Sequence, residues 1–247
     1  MTEEEKNKKE EPETPEPKVS ETKDLPKDKE KKKSFFNKEK ENKESLEIEK
    51  QKSNGSYNKS DVVERLAKDF HNKCYICEIN KLQDPQVEHL RPHFDGKYID
   101  RKFDWNNLFW SCGHCNGVKN QRKYDEYIID CCKSDPEERI YFRLQNGTTD
   151  ITAVNPEDYE AQMTAELVTE VFNITNSGMR IYKSDFRFKE LNKEMNKLYD
   201  TLDELVANPT STFVLKKLQA LIRKESRFAA FKRCYIRENK KQFINYL

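Results

Sequence analysis

Four cysteines stand in two pairs of equal spacing, Cys74-Tyr75-Ile76-Cys77 and Cys112-Gly113-His114-Cys115. Two intervening residues let a tight turn aim both sulfurs of a pair at one ion. Zinc is satisfied by four thiolates in a closed tetrahedron, so Cys74, Cys77, Cys112 and Cys115 read as a structural Zn²⁺ site rather than a catalytic one. Such a site staples two distant turns in a region too small to rely on its core. His114 lies inside the second pair but is surplus to four thiolates. Cys131, Cys132 and Cys234 fit no such spacing and read as free thiols.

Between the pairs lie Val87-Glu88-His89-Leu90-Arg91-Pro92-His93 and Asp104-Trp105-Asn106-Asn107-Leu108-Phe109-Trp110, and Asn116 and Lys119 follow the last cysteine. A carboxylate beside a histidine is common and alone means little. Here it comes with a zinc frame, an Asn-Leu dipeptide and a Cys-Asn start to a helix. Trp105 and Trp110 read as core rings covering the metal site, and His71 as structural. Arg91 and His93 follow His89; they read equally as phosphate contacts or as ordinary exposed residues. Lys119, Arg122 and Lys123 form a short basic run that faces either phosphate or solvent.

In these pieces the sequence resembles the HNH endonucleases, the zinc-framed branch of the His-Me finger or ββα-metal nucleases. The resemblance covers about fifty residues: the Cys74/Cys77 pair, Glu88-His89 with Pro92, Trp105 to Leu108, and the Cys112/Cys115 pair running into Asn116 and Lys119. It implies a strand ending at His89, a loop to about Asp104, a second strand from Asn107 to Trp110 and a helix opening near Asn116. It also implies roles. His89 matches the general base that deprotonates water. Glu88 matches the acidic ligand of a catalytic Mg²⁺ or Mn²⁺. Asn116 stands where many members have His and offers a hard amide oxygen to the same ion. Asn107 matches the Asn that holds the loop and orients the base. Glu in place of Asp at 88 and Asn in place of His at 116 are departures that leave the metal preference open.

The elements that must position these residues are legible from pattern. Charged residues make up 37% of the 247-residue chain and the formal net charge is +1, so bulk charge points to no partner class. Residues 1–58 are expected to form a disordered charged tail, because few of them are apolar. Ser60 and Asp61 are candidate caps of a helix with Val62, Val63, Leu66 and Phe70 on one face. Residues 59–130 are expected to hold the nuclease core. Residues 131–247 begin with a strand pair, Ile140 to Phe142 and Ile151 to Val154, around an Asn146-Gly147 turn. They continue as helices, with a seam of Leu191, Met195, Leu198, Leu202 and Leu205, a stop at Asn208-Pro209, and one last helix carrying Phe213 to Phe231. The fold class expected is therefore α+β: a zinc-stapled ββα core, then a mainly helical region.

A looser resemblance spans residues 60 to 240, through Glu88 to Pro92, Asp104 to Cys112, Asp135-Pro136-Glu137, Thr164 to Leu167 and Ser226 to Phe231. These runs look like the HNH subunits of Septu and related retron anti-phage systems. That likeness implies a nuclease working with an ATPase of the ABC or SMC type. The basic stretch from Lys216 to Lys241 has ten Lys or Arg and suits nucleic acid or a helical partner. The expectation is thus a cytoplasmic, metal-dependent endonuclease acting on DNA, with no apolar run long enough for a membrane. An RNA-cleaving nuclease and a catalytically silent zinc module that binds nucleic acid or a partner are the alternatives.

Overall fold

Alternation of side chains along two short strands sets up the centre of the protein. β1 (Pro85–His89) and β2 (Leu108–Cys112) pair antiparallel, with Glu88 opposite Phe109 and His89 opposite Leu108. All five residues of β2 are buried, because helices cover it: α2 (Ser60–Asp69) and α4 (Gly113–Lys119) both pack on this strand. The computed structural model describes residues 43–173, 178–239 and 243, all within one compact unit, Lys33–Leu247.

The first helix over this hairpin behaves as its pattern requires. Val62 and Leu66 of α2 are buried, and Phe70, just past its end, packs its ring 5.5 Å from Phe109. Its cap differs from expectation. Ser60 is already helical and Lys59 is the N-cap residue, with no side-chain cap. Asp61 falls in the first turn, where a carboxylate favours the helix dipole. The expected loop between His89 and Asp104 contains a short helix, α3 (Ile99–Phe103). α4 opens at Gly113, directly after the strand, so Asn116 lies inside the helix rather than at its start.

Part of the expected tail is folded. α1 (Lys43–Lys50) buries Leu46 and Glu49 and packs on α3. One leucine in a charged run is enough here, because Glu49 accepts from Lys52 and from the Ser56 amide, and together they close the chain onto the core. Residues 1–42 lie outside the described residues.

The second half is as the pattern indicates, with one break. β3 (Ile140–Gln145) and β4 (Thr148–Ala153) form a hairpin. Asn146 and Gly147 both have positive φ, 51° and 73°, which a two-residue turn of matching twist needs. α5 (Tyr159–Phe172) packs on this hairpin, and α6 (Met179–Ala207) buries the whole Leu191, Met195, Leu198, Leu202, Leu205 seam. The expected single last helix is two, α7 (Thr212–Ile222) and α8 (Ala229–Glu238). They part at Phe228, which is buried with φ 50°. Lys73, fully buried, holds the break open: its Nζ donates to the carbonyls of Lys224 and Ser226 at 2.5 and 2.9 Å and pairs with Glu78 at 2.8 Å. Sequence pattern could not show this, since the holding group lies some 150 residues upstream.

The basic C-terminal stretch is mostly engaged internally. Lys232 pairs with Glu194, Arg233 and Arg237 with Glu137, Arg227 with Glu190, Lys217 with Glu204, and Lys224 approaches Asp135. These cations hold α8 and its flanks to the body instead of forming an open face for phosphate. Lys240 and Lys241 lie outside the described residues. No helix among the described residues is long and apolar enough to cross a membrane.

Replacing Lys73 by Ala removes three hydrogen bonds of a buried ammonium and leaves Glu78 without its Lys73 partner. Breaking a buried pair from one side costs about 3–5 kcal/mol. Urea unfolding of Lys73→Ala should show a loss of that size with the m-value unchanged.

Candidate metal centre and catalytic cleft

The metal centre joins two turns. The first cysteine pair sits in a knuckle closed by Glu78 N donating to Cys74 O at 2.9 Å, with Glu78 in the left-handed region at φ 57°. Tyr75 N donates to Trp110 O at 3.0 Å, which ties this knuckle to β2. The second pair spans the end of β2 and the first turn of α4. The four Sγ atoms of Cys74, Cys77, Cys112 and Cys115 all lie within 4.8 Å of one another, and all four residues are buried. Cys77 Sγ and Cys112 Sγ are 3.9 Å apart. Zn–S bonds of about 2.3 Å in a tetrahedron place sulfurs about 3.8 Å apart, so the cage is of the right size. Burial pushes the Cys77 and Cys115 thiols well up. Hydrogen bonds from Cys115, Cys74 and Cys77 push the Cys112 thiol down. Four thiols so placed can all ionise only around a cation. His114 is not a ligand: its Nε2 hydrogen-bonds the Val171 carbonyl at 3.0 Å.

A cleft of about 550 Å³ is lined by Glu88, His89, His93, Asn116, Lys119 and Arg122, among others. β1 contributes the first two and α4 contributes Asn116 and Lys119. The ββα arrangement thus brings Glu88, His89 and Asn116 to one opening.

Each group has a defined setting. His89 Nε2 lies 3.0 Å from the Lys102 carbonyl. A carbonyl only accepts, so Nε2 carries the hydrogen and Nδ1 keeps the lone pair. The rings of Tyr57 and His93 meet the imidazole edge-on at 4.5 and 4.6 Å. Burial lowers the His89 pKa to about 4, against the raising effect of the carbonyl; at neutral pH the ring is uncharged and able to take a proton. Glu88 is buried; its Oε2 accepts from Tyr75 OH at 2.5 Å and its Oε1 meets Lys119 Nζ at 2.6 Å. Lys119 also donates to the His89 carbonyl at 3.1 Å. Asn116 Nδ2 donates to Gln86 Oε1 at 2.7 Å, which directs the amide hydrogens to Gln86 and leaves Oδ1 as a donor to metal. Glu88 and Asn116 therefore offer the hard oxygens that Mg²⁺ or Mn²⁺ takes. The Glu88 carboxylate is already matched by a cation, Lys119.

Asn107 holds the loop beyond the base. Its Oδ1 accepts from Arg91 N at 2.7 Å, and its Nδ2 donates to the Arg91 and Arg101 carbonyls at 2.8 and 2.9 Å. All of its amide capacity but one lone pair is used on backbone. An unpaired buried backbone group costs about 1–3 kcal/mol. Asn107→Ala should lower stability by about 2–4 kcal/mol and loosen exchange of the Arg91 amide, measurable by hydrogen exchange.

The residues expected to contact nucleic acid divide. His93 and Arg122 line the cleft, and Arg122 is exposed. Lys119 also lines it, but its ammonium is engaged by Glu88 and the His89 carbonyl. Arg91 turns away to the Ile128 carbonyl and Glu160. Lys123 pairs with Glu166 and Glu170 on α5, and it lies with Arg122 on a 3-10 turn after α4. Both ties join the core to α5, whose acids sit far along the chain. Sequence reasoning did not single out Tyr57 or Asp125, which line the cleft, nor Gln86, which holds the Asn116 amide. Gln86 carried a signal, since alternation puts it on the Glu88 face of β1. Tyr57 carried none, for it ends a segment whose composition reads as solvated.

Neither the known protein families nor the curated proteins contain a match to this chain.

Proposed function

We propose that the chain is a metal-dependent endonuclease of the HNH type that hydrolyses phosphodiester bonds in DNA. The observation that carries the reading is the single cleft in which a neutral, carbonyl-oriented His89 lies with Glu88 and Asn116 on a hairpin and helix framed by four metal-spaced cysteines. A module that only binds has no need of an imidazole held in one tautomer beside a buried carboxylate.

In this reading His89 Nδ1 accepts a proton from the attacking water as its oxygen bonds to phosphorus. The Lys102 carbonyl favours the imidazolium that results. Asn107 fixes the loop that carries both Arg91 and the approach to the base. Glu88 and Asn116 would hold the divalent ion, which supplies positive charge to the phosphate and the departing oxygen. His93 and Arg122 flank the opening, where a phosphate backbone passes.

The test uses zinc-loaded protein, desalted to remove free ions, mixed with plasmid or tRNA with and without Mg²⁺ or Mn²⁺. Cleavage of plasmid only when divalent ion is added supports the proposal. Cutting of tRNA alone moves the substrate to RNA. Cleavage of neither leaves the zinc-framed binding module as the reading.

A partner belongs to the same proposal. Met179, Tyr182 and Phe186 of α6 and Phe213 of α7 are exposed, and they suit docking of an ATPase subunit in an anti-phage system. Co-purification of a stable complex with an ATPase encoded beside this chain is the expected result.

A further inference from the structure

Arg187 is the residue whose surroundings the nuclease reading leaves unexplained. It lies on α6, is 7% exposed, and forms no ion pair with a carboxylate among the described residues. A buried guanidinium stays charged at any working pH and is costly unless an anion faces it. Its Nη2 donates to Cys112 Sγ at 2.9 Å and its Nη1 to the Lys183 carbonyl of its own helix at 2.8 Å. Its Nε is buried without a hydrogen-bond partner. The anion it faces is therefore the cysteine cluster. Four thiolates around one divalent zinc carry two net negative charges, which a buried site must also balance.

We propose that Arg187 is the charge partner of the metal tetrathiolate and that, through it, the metal centre anchors α6 to the hairpin. The sulfurs staple the two knuckles, and their excess charge holds a helix that contributes no ligand. Without metal, nothing holds the four sulfurs together as one anion facing the buried Arg187, so the first turns of α6 come away from Cys112. The inference depends on the four-cysteine site and not on nuclease chemistry. A groove of about 540 Å³ lined by Cys112, His114, Lys183, Phe186, Arg187 and Arg227 opens beside the cluster, which gives a chelator a way to the metal.

Two measurements on the full chain test this, and neither reads activity. The first is zinc affinity by competition with a chromogenic chelator. Loss of a residue that hydrogen-bonds a metal ligand typically weakens metal about 10–100-fold. Arg187→Met should weaken zinc by that factor, and Arg187→Lys, which keeps the charge, should restore most of it. Equal zinc affinity in the wild type and Arg187→Met would overturn the proposal, as would Arg187→Lys as weak as Arg187→Met. The second measurement is hydrogen exchange of wild-type protein with and without zinc, which holds even if Arg187→Met does not fold. Residues 179–190 should exchange faster in the zinc-free protein while α5 keeps its protection. Unchanged protection of α6 on zinc removal would contradict the anchoring.

Discussion

Cys112→Ser is expected to bind no zinc and to lose the fold of the hairpin region. Structural zinc contributes about 10–16 kcal/mol at neutral pH in small modules. A whole domain is stable by only about 5–15 kcal/mol. The first quantity is comparable with the second, and its loss falls on the hairpin and the knuckles that the metal staples. Cys112 is the most exacting position of the four, because it ends β2, precedes α4 and receives the Arg187 hydrogen bond. The cage itself is buried in a core that includes Phe70, Tyr75 and Phe109, so its collapse exposes aromatic surface. Elemental analysis should find about one zinc per chain in the wild type, and circular dichroism should show Cys112→Ser with reduced structure and early melting. A zinc-free wild type that melts as the zinc-loaded protein does would remove the metal centre from the account.

His89→Ala should lower the cleavage rate by about 10² to 10⁴, the usual cost of losing a general base. Its zinc content should not change, since His89 is no part of the cage. The substitution removes one ring from the Tyr57, His89, His93 cluster and one bond to the Lys102 carbonyl, so a loss of stability of about 1–2 kcal/mol is expected. Asn116→Ala should differ in kind. It takes away an ion ligand, and raised Mg²⁺ or Mn²⁺ should recover part of its rate. Raised ion should recover nothing for His89→Ala, because a cation supplies no base. Metal rescue of His89→Ala would show that the base has been misassigned.

What could be read from the chain follows from how local each signal is. The cysteine spacing and the Asn146-Gly147 turn are settled within a few residues, and the structure places them as the pattern requires; the strand ending at His89 follows the family resemblance. The Leu191 to Leu205 seam is also local, since helical period alone names its face. What pattern could not show depends on partners far along the chain. The break between α7 and α8 is held by Lys73, and the basic C-terminal stretch is matched by Glu137, Glu190 and Glu194. A run of positive residues looks the same in sequence whether its partner is phosphate or a carboxylate fifty residues away. Composition misleads in the same way at α1, where the polar majority hides Leu46. In the cleft, Glu88, His89 and Asn116 line one opening, as the family resemblance implies, but Lys119 as the carboxylate's partner and Tyr57 beside the His89 ring are products of packing.

The central claim is that this cleft hydrolyses phosphodiester bonds with His89 as base, and single-turnover plasmid cleavage tests it most directly. Wild type and His89→Ala are compared at matched zinc content across a Mg²⁺ titration, with protein in excess of DNA. The expected result is a wild-type rate that rises with Mg²⁺ to a plateau and a His89→Ala rate at least about 10²-fold lower at every concentration. Equal rates for the two proteins would contradict the account.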